Sequence, residues 1–251
     1  MNEESSHVLY LISHIFSIPN FTLMTRLVVL TGAGMSAESG IRTFRDSNGL
    51  WEEYDVMEVA SIDGWYRNPE LILRFYNERR SQMFRCEPNN GHRLLAGLEQ
   101  RFDVRIITQN IDNLHERAGS TQVLHLHGEL SKARSSVDPS LIYPIGNKEI
   151  KLGDQCEKGS QLRPHIVWFG EAVPAMDEAI PLVESADILC IIGTSLNVYP
   201  AAGLFRYAPP ACPVWLIDPN PPAGLPRHIR VIAKGAGEGV ETFIQSLPAE
   251  D

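Results

Sequence analysis

The chain has 251 residues, 43% of them hydrophobic and 21% charged, which is enough apolar material for one large or two small globular domains. Its 22 Lys and Arg against 31 Asp and Glu leave a net charge of −9, arguing against a nucleic-acid partner, whose binder draws its affinity mainly from cations on phosphates. No stretch approaches the roughly 20 apolar residues that cross a bilayer, and four scattered cysteines (Cys86, Cys156, Cys190, Cys212) make no disulfide framework, so a cytoplasmic protein without a membrane partner is expected.

Residues 1–24 read as an N-terminal extension with an apolar run over residues 8–16, broken by Ser13 and His14. Its acidic start and the lack of a small-residue cleavage site speak against a signal peptide, leaving an extra helix or a tail, with Met24 as an alternative start of the core. From there, Leu27-Val28-Val29-Leu30 reads as a buried strand. Residues 104–108, 123–126, 188–192 and 214–217 repeat the pattern, with 229–233 a weaker sixth. Continuous rather than alternating apolar runs suit a parallel sheet covered on both faces, and helical stretches between them predict a doubly wound α/β fold. Two insertions break the rhythm. Residues 50–88 are aromatic and charged, with a helix expected over 69–84 behind Pro69; residues 131–164 are polar and turn-rich. Together they predict a smaller lobe beside a core of about 25–49, 89–130 and 165–251, with a ligand in the cleft between.

The first strand runs into Thr31-Gly32-Ala33-Gly34-Met35-Ser36. Gly32 and Gly34 let a backbone approach a pyrophosphate, and a helix starting near Ser36 would aim N–H groups at it. The spacing Gly-x-Gly-x5-Gly is not the six-residue dinucleotide fingerprint, so an ordinary tight turn competes. A second small, hydroxyl-bearing strand end, Gly193-Thr194-Ser195, falls where sheet ligands bind, and two such ends favour a nucleotide. Further on, Phe44 and Arg45 join an aromatic and a basic residue. Arg45 could reach a phosphate, although such charges usually form a solvated face.

Gln109, Asn110, Asp112 and Asn113 follow the second strand, and four amide or acid side chains there are costly to bury without partners. A helix N-cap accounts for one of them, Asn110 or Asp112. A carboxamide-bearing ligand such as nicotinamide would engage Gln, Asn and Asp together. The third strand ends His125-Leu126-His127-Gly128-Glu129, and alternation puts both histidines on one face. A lone histidine is more often a hydrogen-bonded core residue, but His127, at a strand end beside the other polar ends, reads as catalytic. A His125–His127 metal pair is the rival, with no carboxylate or cysteine cluster nearby in sequence to support it.

These blocks resemble the sirtuin family of NAD-dependent protein-lysine deacylases, most closely its bacterial class III branch. The matching residues are 32–45, 108–115, 127–130 (His-Gly-Glu-Leu), 164–171 (Pro-His-Ile-Val-Trp-Phe-Gly-Glu), Gly193-Thr194-Ser195 and Val198-Tyr199-Pro200, in family order from about Leu27 to the end. The resemblance implies a Rossmann-like core and NAD as cofactor. Gly32, Ala33, Gly34, Ser36, Phe44, Arg45 and Gln109 would line its site, with Asn110, Ile111 and Asp112 facing ribose and nicotinamide. Gly193, Thr194 and Ser195 would hold the adenosine half, Ala236 would abut adenine, and Asp218 stands where the family usually has Asn on the adenosine ribose.

The partner implied is an acylated lysine side chain of a protein, with Val167, Phe169, Gly170 and Glu171 pairing with the peptide as a short added strand. The acyl oxygen would attack C1′ of the nicotinamide ribose while nicotinamide departs. His127 would then act as general base on a ribose hydroxyl, giving 2′-O-acyl-ADP-ribose. Tyr76 and Arg79, three apart on the expected helix, resemble the class III signature facing an acyl pocket that the small Ala60 leaves roomy. A guanidinium fork and a phenol suit a carboxylate, implying desuccinylase and demalonylase as well as deacetylase activity. On an arbitrary helix Tyr76 would instead pack and Arg79 would be a solvated charge. An NAD-dependent ADP-ribosyltransferase and a non-catalytic NAD-binding sensor are the alternatives. The family's small lobe usually carries a structural zinc on two Cys-x-x-Cys pairs. Here Ser135 and Asp138 replace the first pair and Cys156 has lost its partner, so no zinc is expected, and the lobe is expected to pack around Leu141, Ile142 and Tyr143.

Overall fold

The computed structural model describes residues 24–42 and 54–247; the apolar run at 8–16, Phe44 and Arg45 lie outside them. Six parallel strands form the main sheet: β1 (Arg26–Thr31), β2 (Asp103–Thr108), β3 (Val123–His125), β7 (Ile188–Ile192), β8 (Val214–Ile217) and β9 (Ile229–Ile232), in the order β3-β2-β1-β7-β8-β9. The chain winds outward from β1 in one direction through β2 and β3, then in the other through β7, β8 and β9. The direction reverses between β1 and β7, which is where open α/β sheets bind ligands.

Successive side chains of β1 explain why its apolar run is unbroken. Leu27 and Val29 enter one core with Leu95, Ile106, Cys190 and Phe243, whereas Val28 and Leu30 enter another with Ala179, Leu189, Ile191 and Leu204. Helices α5 (Asn90–Gly97) and α8 (Ala236–Ile244) cover the first face; α7 (Met176–Glu184) and a 3-10 segment, Ala201–Tyr207, cover the second. Each face must be apolar because each has a helical layer on it.

The second sheet is small and antiparallel, in the order β5-β4-β6, from β4 (Gly128–Ser135), β5 (Ile142–Pro144) and β6 (Leu162–Ile166). Helix α4 (Pro69–Arg85) covers it, with Pro69 in its first turn and the Asn68 side chain accepting the Leu71 N–H at 3.1 Å. Ile72, Phe75, Tyr76 and Met83 of α4 pack on Leu130, Ala133, Ile166 and Trp168. The expected packing around Leu141, Ile142 and Tyr143 is not what forms. β5 is an edge strand paired only with β4, so Ile142 is 44% exposed, Leu141 and Tyr143 are half-buried, and the core sits where α4 covers β4 and β6.

Candidate active site

The two glycine-bearing strand ends meet backbone to backbone. Gly32 N–H donates to Ile192 C=O at 3.0 Å, Gly34 N–H to Gly193 C=O at 2.9 Å, and Gly193 N–H to Ile217 C=O at 2.9 Å. Gly193 has φ +62°, and a Cβ there would lie 2.3 Å from Met35 N. A Cβ on Gly34 would lie 2.7 Å from Gly193 Cα. No side chain fits between these loops, so glycine is needed on both sides of the contact. The helix expected near Ser36, α1 (Gly34–Ala37), starts two residues earlier and is only one turn long.

This contact gathers the polar residues that follow three strands. Asn110 Nδ2 donates to Gly32 C=O at 3.0 Å and to Ser36 Oγ at 3.1 Å; Ser36 Oγ donates to Asp112 Oδ2 at 3.0 Å. Asp112 Oδ1 accepts the Leu114 N–H at 3.1 Å, at the start of α6 (Leu114–Ala118). One carboxylate oxygen therefore caps the helix while the other faces Ser36. Burial pushes the Asp112 carboxyl above its ordinary range. Gln109 Nε2 donates to Thr194 Oγ1 at 3.3 Å, joining the ends of β2 and β7. The Ile111 carbonyl is taken by Leu130 N–H at 2.8 Å. Asp218 follows β8 and accepts the Asn220 N–H at 2.8 Å, while Ala236 is buried in the first turn of α8.

A layer of residues that the sequence reading missed supports this cluster. Thr31 and Thr108 end adjacent strands in register. Thr31 donates to Thr108 Oγ1 at 2.8 Å, and Thr108 Oγ1 also accepts the Asn110 N–H at 3.0 Å. His115 Nε2 reaches Thr31 at 3.2 Å, and the His115 and His92 rings stand 4.8 Å apart. Burial lowers both imidazoles, His92 to about 4, so both are neutral at physiological pH. Paired hydroxyls at the ends of two adjacent apolar runs were the available signal.

β3 stops at His125, so strand alternation does not carry on to His127 and does not set its orientation. Each histidine instead reaches a different carbonyl: His125 Nδ1 lies 3.0 Å from Asn110 C=O, and His127 Nδ1 lies 3.0 Å from Gln109 C=O. A carbonyl only accepts, so Nδ1 carries the hydrogen in both rings and the Nε2 of His127 is left as the basic nitrogen. Burial lowers the His127 pKa. The sequence offered no supporting carboxylate cluster for a His125–His127 metal pair, yet carboxylates do gather at His125 alone. Glu116 of α6 and Glu129 of β4 converge on it, their ligand atoms within 4.8 Å of one another. His127 is not in that group. Burial opposes charge on His125, but the 2.7 Å hydrogen bond to Glu116 prevails and raises its pKa, while Glu129 is paired with Lys132.

Residues 167–171 follow β6 and tie the small sheet to the site. Val167 N–H donates to His127 C=O at 3.0 Å, Phe169 N–H to Ala60 C=O at 2.9 Å, and Ile62 N–H to Phe169 C=O at 3.0 Å. Ala60 thereby sits beside this segment, between α2 (Val56–Val59) and α3 (Ile62–Arg67). Gly170 has φ +90°, and Phe169 is 43% exposed. The Glu171 carboxylate is engaged within the fold. It takes Arg163 at 2.7 and 2.9 Å, Arg134 at 3.1 Å, and the Trp168 N–H at 2.9 Å. Tyr76 and Arg79 are 3% and 8% exposed, so Arg79 is not a solvated charge. Burial weighs against the Arg79 cation, while the Asp112 carboxylate favours it, linking this α4 side chain electrostatically to the polar cluster. Tyr76 OH accepts the Trp168 indole N–H at 2.9 Å. Trp168 lies in the block 164–171 that the sequence marks out but had no side-chain role there, and Arg163, just before that block, carried no signal of its own. A groove of about 590 Å³ on the outer face of α4, lined by Glu70, Arg74, Glu78 and residues 149–152, contains none of these site residues.

A doubly wound parallel sheet with polar strand ends gathered at its reversal point defines a nucleotide-binding class of α/β protein. A family model described as the Sir2 family matches residues 32–200. An NAD-dependent protein deacylase of Bacteroides thetaiotaomicron is 57% identical over 230 residues, covering 89% of this chain and 98% of that protein. One from Helicobacter pylori is 53% identical over 225 residues, with 89% and 98% covered. Among solved structures, a Sir2 homologue mutant in complex with ADP-ribose gives a TM-score of 0.79 at 36% identity, covering 90% of this chain and 96% of that one. A Sir2 homologue–NAD complex also gives 0.79 at 36% identity, covering 89% of each. The chain belongs to the Sir2 family.

Proposed function

We propose that this chain is an NAD-dependent protein-lysine deacylase that removes acetyl, succinyl and malonyl groups, releasing nicotinamide and 2′-O-acyl-ADP-ribose. The observation that carries this is a His127 imidazole, neutral through burial and oriented by Gln109, beside the buried Asn110–Ser36–Asp112 cluster at the sheet's reversal point. The activity named for the bacterial relatives agrees with it.

The donor set fits NAD. Amide and carboxylate groups of Gln109, Asn110 and Asp112 suit a carboxamide and ribose hydroxyls; in the loop at Gly32, Ala33, Gly34 and Ser36 the N–H groups of Gly32, Gly34 and Ser36 are bonded within the fold, so Ala33 is proposed to turn its N–H to the pyrophosphate. Ile111, Gly193, Thr194, Ser195, Asp218 and Ala236 complete the proposed site, with Phe44 and Arg45 assigned on sequence alone. When bound, NAD supplies an electrophilic ribose carbon and nicotinamide as leaving group. His127 Nε2 accepts a proton from a ribose hydroxyl, and the Nδ1–H bond to Gln109 holds the ring and steadies the imidazolium. The segment is proposed to meet the acylated peptide through the Val167 carbonyl, the Phe169 side chain and Gly170, because the Val167 N–H and both backbone groups of Phe169 are already bonded to His127, Ala60 and Ile62. Glu171 serves that segment by fixing it through Arg163. Tyr76 and Arg79 face the acyl group, where a guanidinium and a phenol recognise a carboxylate. The four cysteines are free thiols, which suits a cytoplasmic protein, and acylated proteins are its proposed partners. Among the described residues no helix is long and apolar enough to cross a membrane.

The lobe is proposed to do without zinc. At the positions expected for the metal, Cys156 Sγ lies 3.1 Å from Ser160 Oγ, which lies 2.7 Å from Ser135 Oγ. Ser135 Oγ accepts the N–H groups of Val137 at 3.2 Å and Asp138 at 3.0 Å, and Asp138 pairs with Lys158 at 2.6 Å. One thiol, the neutral hydroxyls of Ser135 and Ser160, and an Asp138 carboxylate already paired with Lys158 are a poor donor set for tetrahedral zinc. A hydrogen-bonded knot can close the loops in its place.

Four outcomes follow. His127→Ala lowers kcat by about 10²–10⁴-fold, the usual loss of a general base, with NAD binding retained. In the wild type kcat/KM loses its base only as pH falls below the ordinary imidazole value of about 6.5, because the native pKa is depressed; an acid limb above that value contradicts the assignment. Arg79→Met with Tyr76→Phe weakens the desuccinylation transition state by roughly 2–4 kcal/mol and deacetylation far less, whereas equal losses on the two peptides mean the pair only supports the fold. Elemental analysis finds no stoichiometric zinc, and chelators leave the melting temperature unchanged; one zinc per chain, lost only on unfolding, refutes the metal-free lobe.

A further inference from the structure

We propose that Trp168 is a specificity-determining residue of the acyl pocket. Its indole N–H fills an acceptor site on the Tyr76 hydroxyl and so turns the phenolic hydrogen toward a carboxylate-bearing acyl group. The inference rests on the reading of Tyr76 and Arg79 as the groups that face the acyl chain.

The chemistry of the two side chains sets the direction of the bond. Indole N–H is a donor only, so across the 2.9 Å contact the tyrosine oxygen accepts. A phenol has one hydrogen, and it must point elsewhere. Among the described residues, the contact to Trp168 is the only hydrogen bond of that hydroxyl. Burial pushes the phenol up to about 12, so the hydrogen is present at every physiological pH. Accepting one hydrogen bond also polarises the hydroxyl and strengthens it as a donor. A buried donor of this kind discriminates between substrates: a succinyl or malonyl carboxylate gives it a charged acceptor, and the methyl of an acetyl group gives it none.

Trp168 can impose this only if it is itself fixed, and its surroundings fix it. It is 2% exposed. The Arg163 guanidinium carbon stands 3.5 Å from its ring centroid, and the Trp65 ring lies at 5.6 Å. Its backbone N–H is held by Glu171, which Arg163 grips at 2.7 and 2.9 Å. The same residue thus sits between Val167 and Phe169 in the peptide-facing segment and sets the hydroxyl that reads the acyl end. The neighbouring recognition group, Arg79, lies three residues along α4 from that hydroxyl.

The test is Trp168→Phe, which keeps an aromatic ring and deletes the N–H. Steady-state kinetics compare acetyl-lysine and succinyl-lysine peptides of one sequence at saturating NAD. The expected result is a succinyl-peptide KM raised about three- to tenfold, the usual worth of one hydrogen bond. The succinyl-to-acetyl ratio of kcat/KM falls with it. In a Tyr76→Phe background the same substitution moves that ratio no further, because the hydroxyl it orients is gone; a merely structural effect would persist there. If Tyr76→Phe lowers the ratio and Trp168→Phe does not, the proposal is overturned and the acyl-pocket reading stands. If the wild-type protein processes acetyl-lysine but not succinyl-lysine, that reading fails and the proposal with it. Should Trp168→Phe fail to fold, 3-benzothienylalanine placed at position 168, which has the indole shape without the N–H, is read against the same criteria.

Discussion

Everything at this site depends on one close approach of backbone to backbone, Gly34 against Gly193 at the point where the sheet reverses direction. Because neither residue has a side chain, the ends of β1 and β7 come together, and β2 is already paired with β1 on the other side. Three strand ends then present Ser36, Gln109, Asn110, Asp112 and Thr194 to one small volume. Such groups are costly to bury singly. Here most of them bond one another, and the Thr31–Thr108 hydroxyl pair anchors the Asn110 backbone from below.

The second constraint is the segment 167–171, which belongs to the small sheet by chain and to the site by contact. It takes its geometry from Arg163 and Glu171, is bonded to the His127 carbonyl at one end and to Ala60 further along, and carries Trp168 into contact with Tyr76. A buried ion pair of this kind is weak evidence for stability. Its clearer effect is to give one orientation to several groups at once. The His127 main chain, the segment 167–171 and the Tyr76 hydroxyl are consequently not independent features. A change at Arg163 or Glu171 would disturb all three.

Much of the architecture was legible in the sequence because it rests on local or periodic signals. Unbroken β-branched runs marked the buried parallel strands, and Pro69 marked the start of α4. The glycines and amides at strand ends pointed to a ligand beyond the carboxyl ends of the strands, although only the strand order places them at the reversal point. What could not be read depends on where the chain turns and on approaches between distant residues. Ile142 looked like core, but it lies on the edge strand β5 and is 44% exposed among the described residues. The relation of His125 to His127 looked like strand alternation, yet β3 ends between them. Glu116 and Glu129 reach His125 only through α6 and β4. Trp168 meets Tyr76 across 92 positions of chain, and Thr31 meets Thr108 across 77. No window of sequence holds both members of either pair.

The dependence of the NAD site on the glycine contact is tested most directly at Gly193. Alanine there must adopt φ +62° and place a Cβ 2.3 Å from Met35 N, so the two loops have to part. Isothermal titration of the folded Gly193→Ala protein with NAD is the measurement, with circular dichroism to establish that the sheet is intact. The expected result is NAD affinity reduced by at least about tenfold, the consequence of even 1.4 kcal/mol of misplacement. A folded Gly193→Ala protein that binds NAD as tightly as the wild type would contradict the central claim that this backbone contact builds the site.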